Sequence, residues 1–444
     1  MKNVKLGKLW YSLHSSYWFL PTIFAIIAIA LAFTMLWLDR QGYYGPLEKW
    51  GWIYTGGANG AREVLSSVSS STIGIAATAF SITIVALQLA ASNFGPRLLR
   101  NFMQDTGNQI VLGTFISTFI YSLLVLRTIR GDGDGYDRFV PQLSVTVGLL
   151  LAIASIGVLI YFIHHASTII QVSHVIWETC ADLDHAIARL FPEKIGQGAS
   201  TQNQPGEEIP VDFDLNTYGI RAQSNGYLQA IDDEELMKLA CQHNLLLRLN
   251  YRPGQFIVKG CELILVYPRE SINRKLNQRL KNTVILGKER TEQQDVEFPI
   301  EQLVEIALRA ISPGINDPFT AIRCIDRLGA GLSHLAQRDF PSPYRYDNHK
   351  KLRVIAERVT FTGLVDTAFN QIRQYGKSDV AVMIRLLEAI AMIARFTSTQ
   401  KERVVLLRHA EMIKRSSQQA ISEELDRQDI EERYLTIKKE LLAK

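Results

Sequence analysis

Four stretches of the chain carry no Asp, Glu, Lys or Arg: Leu9 to Leu38, Val64 to Pro96, Thr106 to Leu126 and Phe139 to Trp177. A hydrocarbon core about 30 Å thick takes about 20 apolar residues in a helix, so each stretch is long enough to cross it. The pattern predicts transmembrane helices at about Trp18 to Leu38, Ser67 to Ala91, Gln109 to Ile129 and Gln142 to His164. The apolar centre of the first, Phe24 to Leu31, outruns a secretory signal and no small-x-small cleavage site follows, which predicts an uncleaved anchor. Aromatic residues flank it on both sides, Trp10, Tyr11, Tyr17 and Trp18 before, Trp37, Tyr43, Tyr44, Trp50, Trp52 and Tyr54 after, the spacing of two interfacial belts.

Beyond the fourth span the helical pattern runs on to Phe191, where Pro192 stops it, and Gly, Gln and Pro then mark a loop over Gly196 to Pro210. Short β-type runs follow at Tyr227 to Ile231, Leu245 to Leu249, Phe256 to Val258, Glu262 to Tyr267 and Thr283 to Leu286, with a helical insert at Asp233 to His243. Arg252 to Gly260 is similar to the strand-turn-strand of lipoyl- and biotinyl-type domains. No Met-Lys-Met occurs, so the likeness implies a small β-barrel without a swinging-arm cofactor. After Pro299 the sequence reads as helices to the end, at Glu301 to Ala310, Pro318 to Gln337, Lys350 to Gln374, Asp379 to Thr397 and Lys401 to Lys439. The expected domains are a four-helix transmembrane part (1–177), a helix and linker (178–225), a small β-rich domain (226–298) and a helical C-terminal domain (299–444).

Composition sharpens this division. With 47% hydrophobic and 21% charged residues and a mean hydropathy of +0.03, the 444-residue chain resembles a soluble protein only on average. Up to Trp177 there are 11 Lys and Arg against 7 Asp and Glu, and the remainder holds 37 of each sign. A wholly soluble enzyme is excluded, and the neutral second half argues against nucleic acid, whose backbone needs a clustered basic excess. Lys2, Lys5 and Lys8 fall on one side with Arg97 and Arg100, whereas the charges of the other loops cancel, so both termini are expected in the cytosol. Cys180, Cys241, Cys261 and Cys324 have neither CxxC nor His-x-x-Cys spacing, so no metal site or disulfide framework is expected and a reduced compartment fits. His164 and His165 are read as resting at the interface. The Gly131 to Asp137 loop lacks the glycine and bidentate Glu of a calcium loop and reads as a turn.

The second span carries the clearest candidate chemistry. At 100° per residue Ser67, Ser71, Gly74, Thr78, Ser81 and Gln88 fall on one stripe, interrupted by Val85. Two readings are open: a pore lining, where hydroxyl and amide groups substitute for water around a solute, or close helix packing through small residues. No charged side chain lies at the centre of a span, which counts against an ion-coupled carrier.

Three motifs carry a family resemblance: Trp18-Phe19-Leu20-Pro21, Gln88-Leu89-Ala90 through Phe94-Gly95-Pro96-Arg97-Leu98-Leu99, and Ser312-Pro313-Gly314-Ile315-Asn316-Asp317-Pro318-Phe319-Thr320. The chain resembles a family of bacterial predicted membrane proteins with a domain of unknown function. That resemblance implies a membrane protein and transfers no catalytic residue. Physically the last motif is a helix junction: Pro313-Gly314 turns, Asn316 or Asp317 caps the next helix, and Pro318 suits its first position. Its second reading, with Ser312, Pro313, Gly314, Asn316, Asp317 and Pro318 as ligand candidates, is an anion held by the amides at that helix start.

The fold expected is therefore membrane α-helical, with four transmembrane helices, plus a cytosolic α+β region containing a small β-barrel and a helical C-terminal part. No GxSxG, HExxH, GxxxxGK[ST] or Rossmann fingerprint is present, so no catalytic residue, metal or cofactor is assigned. The leading expectation is an oligomeric, channel-like conduit for ions or small solutes in the lipid bilayer, regulated by its cytosolic domain. The alternative is a membrane-anchored scaffold or sensor.

Overall fold

The computed structural model describes residues 18–42, 53–94, 105–131, 137–169, 171–191 and 209–443. The N-terminal lysines, most of the aromatic belt residues, Arg97 and Arg100, the Gly95 to Leu99 part of the second motif and positions 132–136 of the aspartate-rich loop lie outside the described residues. The chain forms two compact units, residues 2–174 and 175–444.

Four helices of the N-terminal unit are long and apolar enough to cross a membrane: α1 Phe19–Arg40, α2 Ala58–Phe94, α3 Thr106–Leu126 and α4 Gln142–Ile169. Half of the apolar window of α3 is buried inside the unit, against about a fifth for the others, so α3 is the central helix. Small residues set the spacing around it. A Cβ on Gly113 would come within 3.0 Å of the Phe24 ring, and one on Gly148 within 2.8 Å of Leu65. Close backbone approach of this kind replaces the hydrophobic driving force that lipid removes. Two pairs of polar groups meet inside the bundle: the Tyr121 hydroxyl donates to the Ser144 carbonyl at 2.9 Å, and the hydroxyls of Thr118 and Ser155 meet at 3.1 Å.

Asp39, at the end of α1, is the strongest polar tie. Its buried carboxylate accepts from the backbone N–H groups of Leu143 and Ser144, both at 2.9 Å, and from the Ser144 hydroxyl. Asp39 thereby caps α4 from about a hundred residues away, supplying a negative charge and an acceptor to helix-start amides that have no partner within their own helix. The sequence had shown it only as one loop charge among several.

Helix α2 begins nine residues before the predicted span. Ala58, Ala61 and Leu65 are buried, and Arg62 donates to the Ile129 carbonyl at 3.0 Å, so packing extends the helix past the uncharged stretch. The predicted continuous helix from α4 to Phe191 is instead two, since α5 spans Val172–Leu190. Just before the break Ser167 and Thr168 both donate their hydroxyls to the His164 carbonyl, competing with the helix's own ladder.

The C-terminal unit has two open sheets. Strands β1 Tyr218–Arg221, β3 Leu246–Leu249, β5 Glu262–Tyr267, β7 Tyr344–Tyr346 and β8 Leu352–Ala356 make one, in the order β1-β5-β3-β8-β7. Strands β2 Gly226–Ile231, β4 Phe256–Ile257 and β6 Val284–Gly287 make the other, in the order β4-β2-β6. Among the described residues neither closes, so the small barrel is not formed: β1 and β7 are free edges of the larger sheet. The expected helix at Lys350 to Gln374 is likewise corrected. Its first part is β8, which pairs in parallel with β3 (Leu247 opposite Val354), and only Phe361–Tyr375, α10, is helical.

Helices α6 Asp233–Gln242 and α7 Arg274–Asn282 pack their leucines, Leu236, Leu239, Leu276 and Leu280, into the core beside the sheets. The remaining helices are α8 Glu297–Ala310, α9 Pro318–Ala336, α11 Val380–Ala394, α12 Gln400–Ala420 and α13 Glu424–Leu442; a break after Ala420 divides the single expected final helix in two. Helix α5 lies against α9, where a Cβ on Gly331 would come within 2.6 Å of Leu183.

Replacing Asp39 by Ala removes both the cap and the partner of a buried hydroxyl, and is expected to cost the N-terminal unit about 2 kcal/mol. The midpoint of denaturant unfolding in detergent checks this. Asp39→Asn, which keeps one acceptor, should lose less.

Candidate functional site

The residues of α2 that are buried inside the unit are Ala58, Ala61, Leu65, Ser69, Thr72, Ala76, Ala79, Thr83 and Ala86. From Leu65 on they recur in alternating steps of four and three, so small residues form one continuous face against α3 and α4. Each candidate of the polar stripe stands two positions after one of them: Ser67 after Leu65, Ser71 after Ser69, Gly74 after Thr72, Thr78 after Ala76, Ser81 after Ala79, Val85 after Thr83 and Gln88 after Ala86. Two residues turn a helix by about 200°, so the stripe lies on the opposite side. All seven are exposed, and a Cβ added to Gly74 would meet nothing within 4 Å. Packing inside the subunit therefore does not use the stripe.

Two hydroxyls on this face are satisfied by their own helix. Thr78 donates to the Gly74 carbonyl at 3.0 Å and Ser81 to the Ala77 carbonyl at 2.9 Å. Gln88 differs, because a primary amide carries two donors and an acceptor, more than one helix carbonyl can satisfy. Between Ser81 and Gln88 the surface forms a shallow recess lined by Ser81, Ile82, Val85, Ala86 and Leu89, with polar atoms almost absent. Val85 thus sits in an apolar recess on the outward face of α2, between Ser81 and Gln88.

At one end of the bundle, sequence reading missed a pairing. His165 Nε2 lies 2.8 Å from an oxygen of Asp105, and its ring stacks on Tyr161 at 5.2 Å. The same oxygen of Asp105 accepts from the Asn108 N–H at 2.8 Å and caps α3. Sixty positions separate the partners, so no local spacing announces them. Among the described residues no group of three metal-binding side chains comes together.

The Ser312 to Pro318 motif joins α8 to α9. Asp317 is the cap: one carboxylate oxygen accepts from the Thr320 N–H at 3.2 Å and the other from the Thr320 hydroxyl at 2.6 Å, with Pro318 in the first turn. Asn316 instead takes a left-handed backbone, φ 52°, which Asn tolerates better than most residues. Ser312 donates to the Arg309 carbonyl at 2.6 Å, and Pro313, Gly314 and Asn316 form an exposed turn. The Asp317 carboxylate occupies the place an anion would take at this helix start. Nearby Cys324 is fully buried in α9, where burial pushes its thiol up, away from the reactive thiolate.

The family described as predicted membrane protein (DUF2254) matches residues 14–392. The chain belongs to this family. Its relatives include uncharacterized protein Mb1321c of Mycobacterium bovis and uncharacterized protein Rv1290c of Mycobacterium tuberculosis, each 33% identical over 376 residues, covering 84% of this chain and 70% of theirs. No solved structure matches. Family membership and the four long apolar helices agree that this is a membrane protein.

At the junction, Asp317→Ala should cost about 1 kcal/mol of stability through the lost cap. Asn316→Gly should be tolerated, and Asn316→Ala should destabilise, because only the latter puts a Cβ without local hydrogen bonding at positive φ. Thermal unfolding of the three variants checks the order.

Proposed function

We propose that the protein is a channel-like conduit for ions or small solutes, assembled from several copies in the inner membrane of a bacterium. The C-terminal unit lies in the cytosol with the N-terminus and regulates the assembly. The observation that carries this reading is the two-residue offset on α2, which leaves Ser67, Ser71, Gly74, Thr78, Ser81 and Gln88 on the face opposite its packing face. One subunit of four helices encloses no wide path, so symmetry has to supply the walls, each copy contributing one polar stripe. Hydroxyls, a glycine and an amide suit a wet lining without fixed charge, and Val85 suits a hydrophobic gate that closes by expelling water.

A scaffold or sensor is the second reading. It is favoured by the bonds of Thr78 and Ser81 to their own helix, which let the stripe rest against lipid or a neighbouring helix without cost from unpaired hydroxyls. Neither reading assigns bond-making chemistry to the chain.

Single cysteines separate the two, in a background where Cys180, Cys241, Cys261 and Cys324 are replaced. A conduit predicts that a small charged thiol reagent labels positions 71 and 88 readily, and 78 and 81 when the path is open. Positions 69, 72 and 83, on the inner face, should stay protected in either case and serve as controls. Flux through liposomes should fall when Val85→Phe narrows the path. Uniform protection of 71, 78, 81 and 88, with no flux from the purified protein, would remove the conduit and leave the scaffold.

A further inference from the structure

The C-terminal unit contains a cavity of about 600 Å³ at one end of the larger sheet, where β3 and β8 begin and β5 ends. Its size is within the range of small-molecule sites, about 300–1,000 Å³. The lining includes Lys350, Lys351, Arg353, His243 and His349, and, among the described residues, neither Asp nor Glu. The rest of the wall is largely apolar, with Tyr267 as its one aromatic ring. That ring is fixed: it stacks on Phe213 at 5.7 Å, and its hydroxyl donates to Asp212 at 3.1 Å.

The basic groups do not play equal parts. Arg353 is held by Asp347 at 2.8 Å and also donates to the side-chain oxygen of Asn244, so it builds the wall. Lys351 reaches the same neutral oxygen at 2.8 Å and keeps its charge uncancelled. The Lys350 ammonium has no partner among the described residues, and both lysines are exposed. The loop that carries them, between β7 and β8, is ordered by Asp347, whose carboxylate accepts from the N–H groups of His349 and Lys351 at 2.8 and 3.0 Å. Those bonds and Arg353 hold the Asp347 carboxyl down at about 2.

Backbone conformation marks the same place. Among the described residues three that are not glycine have left-handed backbone, and two of them, Asn244 at φ 51° and Lys350 at φ 59°, line this cavity on opposite chain segments. Both have local causes: Asn244 closes the C-terminus of α6, where the Leu245 N–H returns to the Ala240 carbonyl, and Lys350 is the left-handed residue of the β7–β8 turn, its N–H donating to the Asp347 carbonyl.

We propose that this cavity binds a phosphate-bearing small molecule, its phosphate held by Lys350 and Lys351 and its less polar part against Tyr267 and the leucines of the wall. Compact ammonium groups on flexible stems, with no carboxylate among the described lining residues, match a multiply charged phosphate ester better than a neutral solute. A soluble nucleotide-like ester and an anionic lipid headgroup share this chemistry. The inference concerns the C-terminal unit alone and does not depend on the conduit.

The test uses the full-length protein in nanodiscs of phosphatidylcholine, titrated calorimetrically with adenosine triphosphate and with inorganic pyrophosphate. Saturable binding that weakens with added salt is expected, and at least a tenfold loss in the double variant Lys350→Gln, Lys351→Gln. Lys350→Gly guards against misfolding, because it suits the left-handed turn position while deleting the charge: it should melt no lower than the parent and still bind more weakly. A parallel arm replaces the lipid by phosphatidylglycerol without soluble ligand. If the phosphate comes from a headgroup, a thermal shift appears in that arm alone and vanishes in the double variant. Failure of all three probes to bind, or equal responses from parent and variants, would overturn the proposal.

Discussion

Within the hydrocarbon no water is present to satisfy a polar group, and the main polar ties of the N-terminal unit follow from that constraint. It makes the spans helical, turns Thr118, Ser155, Tyr121 and Ser144 toward one another, and places the Asp39 carboxylate on the amides that open α4. It also gives α2 its meaning. A helix can hide one polar or small-residue face against its own bundle, and α2 spends that opportunity on Ser69, Thr72 and Thr83. The second face, two residues out of phase, is left outside the subunit's own packing.

The spans themselves were legible because a run of about twenty uncharged residues signals a crossing whatever lies next to it. Their details depended on tertiary contacts that no run reports. Helix α2 extends to Ala58 because Arg62 reaches Ile129, and α4 ends near Ile169 where two hydroxyls compete for one carbonyl. The polar stripe could be listed from the sequence, but its direction could not. Leu65 to Ala86 and Ser67 to Gln88 have the same heptad spacing and nearly the same small-residue content, and only the packing of α3 and α4 decides which of the two is inside.

In the C-terminal unit, local signals succeeded where turn and cap chemistry is strong. Asp232, Asp317, Asp379 and Thr399 each cap with their own side chain a helix expected there, whereas Asn273 and Thr360 cap helix starts that the sequence pattern does not announce. The five expected β runs all form, yet the barrel does not, because strand order is set by partners distant in the chain. Strand β8 pairs in parallel with β3 about a hundred residues earlier, and it was read as helix because Leu352 to Ala356 is too short to show a period. The basic cavity was invisible for the same reason: Asn244 and Lys350 to Arg353 meet only once β3 and β8 lie side by side.

The central claim is that the outward face of α2 is wet. Nitroxide labels at positions 71, 78 and 81 in lipid vesicles test it most directly, through relaxation by a water-soluble nickel chelate and by oxygen, which concentrates in hydrocarbon. Labels at Ile156 and Ile163, exposed on α4, supply the lipid-facing reference. The account predicts that the chelate dominates at the α2 positions and oxygen at the α4 positions. Oxygen-dominated relaxation at 71, 78 and 81, equal to that at 156 and 163, would place the stripe in lipid and contradict it.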